Sequence, residues 1–346
     1  MPIDNSGFPA RSALLRHGSQ KISRRAALGF VGGAGLAAMA GPLAAKPFND
    51  LEILAAPTGA SITVARAVDS GALAEAAPNA SFRLWRDPDA LRAGIVSGRT
   101  LLFSTPTNLP ANLANRGLPI KLLCVLGQGH LTVVSAETGI STFRDLIGRE
   151  VLCFFRNDMP DLVFRACARL EGVDPDKDIK LSYVQDGMAA AQMLAAGKAT
   201  TALLMEPAAT MAIMRAGQQG IKLARVLSLQ EIWTSHMKVA TMPMVGLAIS
   251  EKMLEQTPEI VPALRAALPA AKQWALANPD AAGALAEKSM QMHPKIFASA
   301  VDRLKMDIVS ARAAKPDLEV FYQSLLDVSP QALGGKLPPD SFYLDF

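Results

Sequence analysis

Short apolar runs bounded by Gly or Pro alternate with amphipathic stretches along most of this 346-residue chain, and that alternation constrains the fold more tightly than any single motif. Runs of this length suit buried strands, the stretches between them put apolar residues on one helical face, and the two in succession build α/β units around mainly parallel sheets. LEILAAP predicts the first strand, and Thr58-Gly59-Ala60-Ser61 opens a helix that carries Ile62, Ala65 and Val68 on one face. SFRLWRD predicts a second strand and 88–97 a short helix ended by Gly98. TLLFSTP predicts a third strand running into a helix that starts at Thr107 and Asn108, and PIKLLCVL a fourth strand. After Gly127-Gln128-Gly129 the run HLTVVSA reads as a strand crossing into a second lobe, because a fresh set of units begins at Ser141. REVLCFF, a helix over 161–171, IKLSYVQ, a helix over 188–196, TALLM and a helix over 207–216 fill that lobe. MVGLAIS returns as a strand, and from Glu251 to about Leu326 the pattern is almost wholly helical. The expected fold is α/β, with two Rossmann-like lobes and a helical C-terminal segment. Residues 46–134 and 241–346 form a discontinuous lobe I, and 135–240 form lobe II.

The N-terminal segment has a different character. Ser23-Arg24-Arg25 precedes an apolar run rich in Gly and Ala that ends in small residues, the pattern of a twin-arginine export signal. Ala38-Met39-Ala40 and Leu43-Ala44-Ala45 both offer small side chains for cleavage, so the mature chain is expected to start near Gly41 or Lys46, with Lys46 preferred. The run is too weakly hydrophobic to anchor firmly in a bilayer. The twin-arginine translocase is therefore an expected partner during export, and the periplasm the expected location. Residues 1–45 also hold five of the 35 basic residues and one of the 31 acidic ones, so the whole formal net charge of +4 belongs to the leader. A near-neutral body gives no electrostatic footprint for nucleic acid or anionic lipid.

Cys124, Cys153 and Cys167 lack CxxC spacing and lie in apolar stretches, which suits buried thiols better than a disulfide framework. His130, His236 and His293 are scattered, without HExxH or similar spacing, so each reads as structural and no metal or cofactor is expected. No Ser/His/Asp order, nucleophile elbow or phosphate-cradling Gly loop can be assembled, and the chain is not expected to be an enzyme.

The order of elements, with LLMEPAAT in the second lobe and MLEQTPEIVPALRAALPAAKQWALANPDAAGALA near the end, resembles the nitrate/sulfonate/taurine-type substrate-binding proteins of ABC importers. The resemblance implies a type II-like periplasmic binding fold, with two lobes joined by two crossing strands and a small ligand clamped between them. It implies an ABC permease and ATPase as partners and a monomeric receptor. The chain departs from that family where Arg156-Asn157-Asp158-Met159-Pro160-Asp161 stands in place of a Gly-Ser-type helix start, which leaves the ligand class open. A periplasmic enzyme or cofactor-carrying protein on the same fold, and a sensory ligand-binding subunit, are the alternatives.

In open α/β sheets the ligand crevice lies beyond the carboxyl ends of the strands, where loops feed helix N-termini with unpaired N–H groups. That rule selects Thr58, Gly59, Ala60 and Ser61, then Ser104 and Thr105, in lobe I, and Arg156, Asn157, Asp158, Gln185, Asp186 and Glu206 in lobe II. Thr58 and Ser61 suit helix capping as well as ligand contact. Ser104 and Thr105 put adjacent hydroxyls at the end of an apolar strand, with Pro106 fixing the turn. The planar fork of Arg156 suits an oxyanion, or an ion pair with Asp158. Glu206 suits a helix cap or a bond from a ligand amine, and Asp186 a helix cap or a ligand contact. Trp85 reads as core. Arg156 and the helix starts favour an organic anion, whereas Glu206 and Asp186 suit an amine or zwitterion. The expected ligand is a small organic anion or zwitterion.

Overall fold

A computed structural model describes residues 50–346; the expected export signal and its cleavage site lie outside the described residues. The chain begins β1 (Glu52–Ala55), α1 (Ile62–Asp69), β2 (Ser81–Leu84), α2 (Pro88–Val96), β3 (Leu102–Pro106), α3 (Asn108–Asn115) and β4 (Ile120–Gln128). Then come β5 (Leu131–Ser135), β6 (Glu150–Phe154), α4 (Met159–Leu170), β7 (Lys180–Val184), α5 (Gly187–Ala195), β8 (Thr201–Met205), α6 (Ala208–Gln218), β9 (Ala224–Ser228) and α7 (Leu229–Met237). The last part is β10 (Pro243–Ser250), α8 (Glu251–Gln256), α9 (Ile260–Ala277), α10 (Pro279–Met290), α11 (Pro294–Ala300), β11 (Met306–Ser310) and α12 (Ala311–Val328). Two sheets result, in the orders β11-β4-β10-β3-β1-β2 and β7-β6-β8-β5-β9.

The α/β class stands, but the sheets are mixed rather than mainly parallel. β1 pairs parallel with β2 and β3, while β10 runs antiparallel to both β3 and β4, and β11 antiparallel to β4. In the second sheet β6 is parallel to β7 and β8, and β5 is antiparallel to β8 and β9. The physical reason is connectivity. β4 and β5 lie in different sheets with only residues 129–130 between them, and β10 comes back from the second sheet and inserts between β3 and β4 against their direction. β11 also interrupts the segment expected to be helical as far as about Leu326, and β9 and α7 add a strand and a helix to the expected elements.

β10 is the central strand of the first sheet, buried from Pro243 to Ile249. Gly246 is required there by close approach. A Cβ would lie 2.7 Å from the Leu122 side chain, 3.1 Å from that of Thr107 and 3.3 Å from the Cys124 carbonyl, with no room for all three to yield. Helix starts follow the local chemistry: Asp87 accepts from the Asp89 N–H ahead of a helix opening with Pro88, and Asp186 accepts from the Ala189 N–H. The three cysteines are buried thiols, and desolvation pushes the ionisation of each well up.

The C-terminal tail is sewn onto the first sheet. The Asn108, Asn112 and Asn115 side-chain amides of α3 donate to the carbonyls of Ala332 (3.4 Å), Gln331 (2.6 Å) and Leu333 (2.6 Å), and Asn115 also to Lys336 (2.7 Å). Tyr343 bridges to Leu122 of β4, and the Leu344 N–H donates to the Leu122 carbonyl at 3.0 Å. Among the described residues no helix is long and apolar enough to cross a membrane, and no cluster of three or more His, Cys, Asp or Glu could hold a metal.

Candidate ligand-binding cleft

The carboxyl ends of β1, β2 and β3 face those of β6, β7 and β8 across a cleft of about 1010 Å³, adjoined by an inner chamber of about 30 Å³ that shares part of its lining. The outer volume is in the range of small-molecule sites, whereas the chamber has room for about two waters. Pro57, Trp85, Leu91, Phe155 and Met205 line both parts, and Thr58, Thr105, His130 and Asp158 belong to the inner one.

On the first-sheet side, Thr58 follows β1 and lies buried without capping the helix after it, its Oγ1 lacking any partner. Thr105, in β3, is fully buried, and its Oγ1 is likewise unpartnered. Adjacent Ser104 also has an unpartnered hydroxyl, but it does not line the chamber; its carbonyl accepts from the Trp85 Nε1–H at 3.0 Å. Ser61 turns away and donates to the Ala56 carbonyl at 2.6 Å, so it neither caps a helix nor meets the chamber. Gly59 and Ala60 are packed into the body instead, Gly59 against Leu304 and Ala60 against Gly127. Of the four residues expected in this loop, only Thr58 reaches the cleft.

On the second-sheet side the polar groups are already engaged. Asp158 accepts from the Met159 N–H at 2.8 Å at the start of α4, and its other oxygen pairs at 3.0 Å with Arg92 of α2, across the cleft. That replaces the ion pair expected between Arg156 and Asp158. The Arg156 guanidinium is exposed, lies 5.2 Å over the Tyr183 ring, lines neither part of the cleft and leaves Asp158 to Arg92. Asn157 is also outside the cleft; it sits in the left-handed region (φ 61°) and donates its N–H to Asp161 at 2.8 Å. Asp161 is fully buried and takes further bonds from Arg165 Nε (2.9 Å) and Tyr183 Oη (2.8 Å). This cluster braces the β6–α4 turn that presents Phe155, itself left-handed at φ 51°. A bulky residue held there is strained. The Phe155 ring stands 6.4 Å from Trp85, the two forming facing walls.

Gln185 and Asp186 line the outer cleft, with Asp186 spent on capping α5. Glu206 also reaches the outer cleft but is consumed internally: one oxygen holds Arg225, and the other accepts from the Thr210 N–H (3.1 Å) and hydroxyl (2.8 Å). A carboxylate so fully bonded has little left to offer a ligand amine.

Trp85, read from the sequence as core, and His130, read as structural, form part of the chamber together with Phe155, which no sequence pattern marked. Trp85 directly follows β2, so the rule about strand carboxyl ends applied to that strand selects it. His130 sits beside Gly127-Gln128-Gly129, after which the chain was expected to cross into the second lobe. It is buried, Nδ1 lies 3.0 Å from the Gln128 carbonyl and Nε2 has no partner among the described residues. Desolvation lowers its pKa, against the opposing influence of that carbonyl and of Glu206. Contacts also bridge the flanks of the cleft. Ile296 of α11 packs on the cluster around α5 and α6, and on the far side the Trp233 and Phe321 rings meet edge to face at 5.7 Å.

No curated protein matches the sequence. Solved structures do. An ABC transporter structure from Parabacteroides distasonis is 21% identical with a TM-score of 0.68, over 86% of this chain and 99% of that one. The periplasmic aliphatic sulphonate binding protein SsuA from Escherichia coli is 17% identical at TM-score 0.63, over 84% and 97%. The periplasmic nitrate-binding protein NrtA from Synechocystis PCC 6803 is 14% identical at 0.58, over 74% and 70%. The chain thus shares the two-sheet fold of these binding proteins. Residues 100–282, more than half of the chain, match the family model described as NMT1/THI5 like, and the chain belongs to that NMT1/THI5-like family.

Proposed function

We propose that this protein is an exported solute receptor of an ABC importer, one that captures a small molecule between two lobes and presents the closed form to a membrane permease with its ATPase. The observation that carries the reading is the cleft itself, walled by the strand ends of both sheets and floored by buried polar atoms without partners. The fold shared with sulfonate- and nitrate-binding proteins supports it, as does the leader-like N-terminus. In this reading the bodies around the two sheets, 46–134 with 241–346 and 135–240, are lobes that rotate about the segments joining β4 to β5 and α7 to β10. The Arg92–Asp158 pair spans the gap, so opening must break it. A ligand that contacts both walls favours the closed form by its difference in affinity for the two states. The receptor acts as a monomer and turns over no substrate.

A thermal-shift screen of sulfonates, carboxylates, amides, amines and heterocycles, followed by small-angle scattering on any hit, tests this reading. One chemical class should raise the melting temperature, by the equivalent of about 2.7 kcal/mol at a hundredfold excess over Kd, and should reduce the radius of gyration. A screen with no stabilising solute, or a hit that is converted to product, would sink the proposal.

A further inference from the structure

We infer that His130 accepts a hydrogen bond from an N–H or O–H at the buried end of the ligand, and so selects against solutes that would bury an oxyanion there. This rests on the solute-receptor reading and names the chemistry of its site.

The tautomer follows from geometry. Nδ1 lies 3.0 Å from the Gln128 carbonyl, a group that can only accept, so Nδ1 carries the proton and donates it. Nε2 is then a lone pair. The ring is 6% exposed and burial disfavours its cationic form, which keeps Nε2 an acceptor at neutral pH. A buried acceptor without a partner calls for an explanation, and this one belongs to a residue lining the inner chamber. Its neighbours there agree. Thr58 and Thr105 contribute unpartnered hydroxyls that rotate to donate or accept. Among the described residues no Lys or Arg lines the chamber, and the charged group that does is the Asp158 carboxylate, held by Arg92. Glu206, neutralised by Arg225, lies in the outer cleft. An oxyanion pushed against Nε2 would set lone pair against lone pair, with no Lys or Arg lining the chamber to offset it and with Arg92 already paired to Asp158.

Position adds a second role. Gln128, which accepts from His130, is itself tied to the start of β11: its N–H donates to the Lys305 carbonyl just before it at 2.9 Å and its side-chain amide to Asp307 within it at 3.2 Å. A ligand bonded to Nε2 therefore grips the link between the two sheets through one imidazole.

Two measurements on the folded mature chain test the inference. First, ¹⁵N-histidine NMR at pH 7 without added solute should show His130 as the neutral ring with a protonated Nδ1 and a bare Nε2; an Nε2–H ring or an imidazolium overturns it. Second, calorimetric Kd values are compared for matched neutral and anionic probes, benzamide against benzoate and methanesulfonamide against methanesulfonate. The neutral member of a pair should bind more tightly, and should weaken at least about tenfold in His130→Ala while changing only a few-fold in His130→Gln, which keeps an acceptor. An anionic probe that binds equally well to the wild type and to His130→Ala overturns the role of His130 and leaves the receptor reading intact. Silence from both members of every pair counts against the receptor reading, and the tautomer still decides the state of His130. That spectrum needs no variant, so a misfolded His130→Ala would not shield the inference.

Discussion

The two walls of the cleft handle polarity in opposite ways. On the first-sheet wall Thr58 and Thr105 bury hydroxyls that have no partner among the described residues. On the second-sheet wall Asp158, Asp161, Asp186 and Glu206 are spoken for, by Arg92, by Arg165 and Tyr183, by the start of α5, and by Arg225 with Thr210. Buried charges are tolerable only when paired and bonded, so the charged wall has to spend its groups on itself. A neutral hydroxyl costs far less to leave open, so the inner part of the first-sheet wall can hold its groups in reserve, while Arg83 and Arg86 farther out on that wall are bonded to Glu52 and Gln291. The lesson for reading such sites is that the most conspicuous side chains, the charged ones, are the least available to a ligand.

Asp161→Ala attacks the self-satisfied wall where it is most buried. It removes three bonds, leaving Arg165 only Asp176 and Tyr183, and should cost about 3 kcal/mol in urea denaturation; a loss below about 1 kcal/mol would erase the contrast between the walls. His130, between them, should show in the pH dependence of stability. Its proton is excluded by folding, so its contribution is complete above the unfolded pKa of about 6.5 and drains away as the pH falls toward the depressed folded value. The wild type should lose up to about 1.4 kcal/mol per pH unit below that point relative to His130→Gln, measured by denaturation at pH 7, 6 and 5. Thr105→Val tests the open wall. With no bond to lose and near-equal volume, stability should hold or rise by up to about 1 kcal/mol, while affinity for any cleft ligand falls. Arg92→Ala should have the smallest effect on stability, within about 1 kcal/mol because the pair is partly exposed (side chains 40% and 20%), yet it removes a link between the walls. Scattering from the unliganded variant should then report a larger radius of gyration than the wild type.

Much of the fold was legible in the sequence because Gly and Pro punctuate it. Gly98 ends α2 at φ 71° and Pro88 starts it, and the runs around β1, β3, β4, β6, β8 and β10 are apolar enough to be read as strands. β9 and β11 were not. Each is five residues, half-exposed and interrupted by charge, ARVLS and MDIVS. Edge strands of that kind lack the apolar pattern that marks a buried strand. The site was legible as a set of loops and misread within them. Sequence proximity favoured an Arg156–Asp158 pair, but the left-handed residues Phe155 and Asn157 swing the chain, and Asp158 meets an arginine 66 positions away. Trp85 and His130 look like core residues because a chamber wall and a core are both buried; only the fold distinguishes an apolar neighbour from a gap.

β4 pairs with β10 and β11, and Tyr343 with Leu122, so the body that begins the described chain is completed by its final residues. Residues 131–228, which make up the second sheet, leave the ribosome as one uninterrupted piece, while the first sheet must wait with an open edge until β11 and Tyr343 have been made. The order of assembly is thereby reversed relative to the order of translation, and an affinity tag fused after Phe346 would be attached where the earliest-made strands are still waiting to be closed.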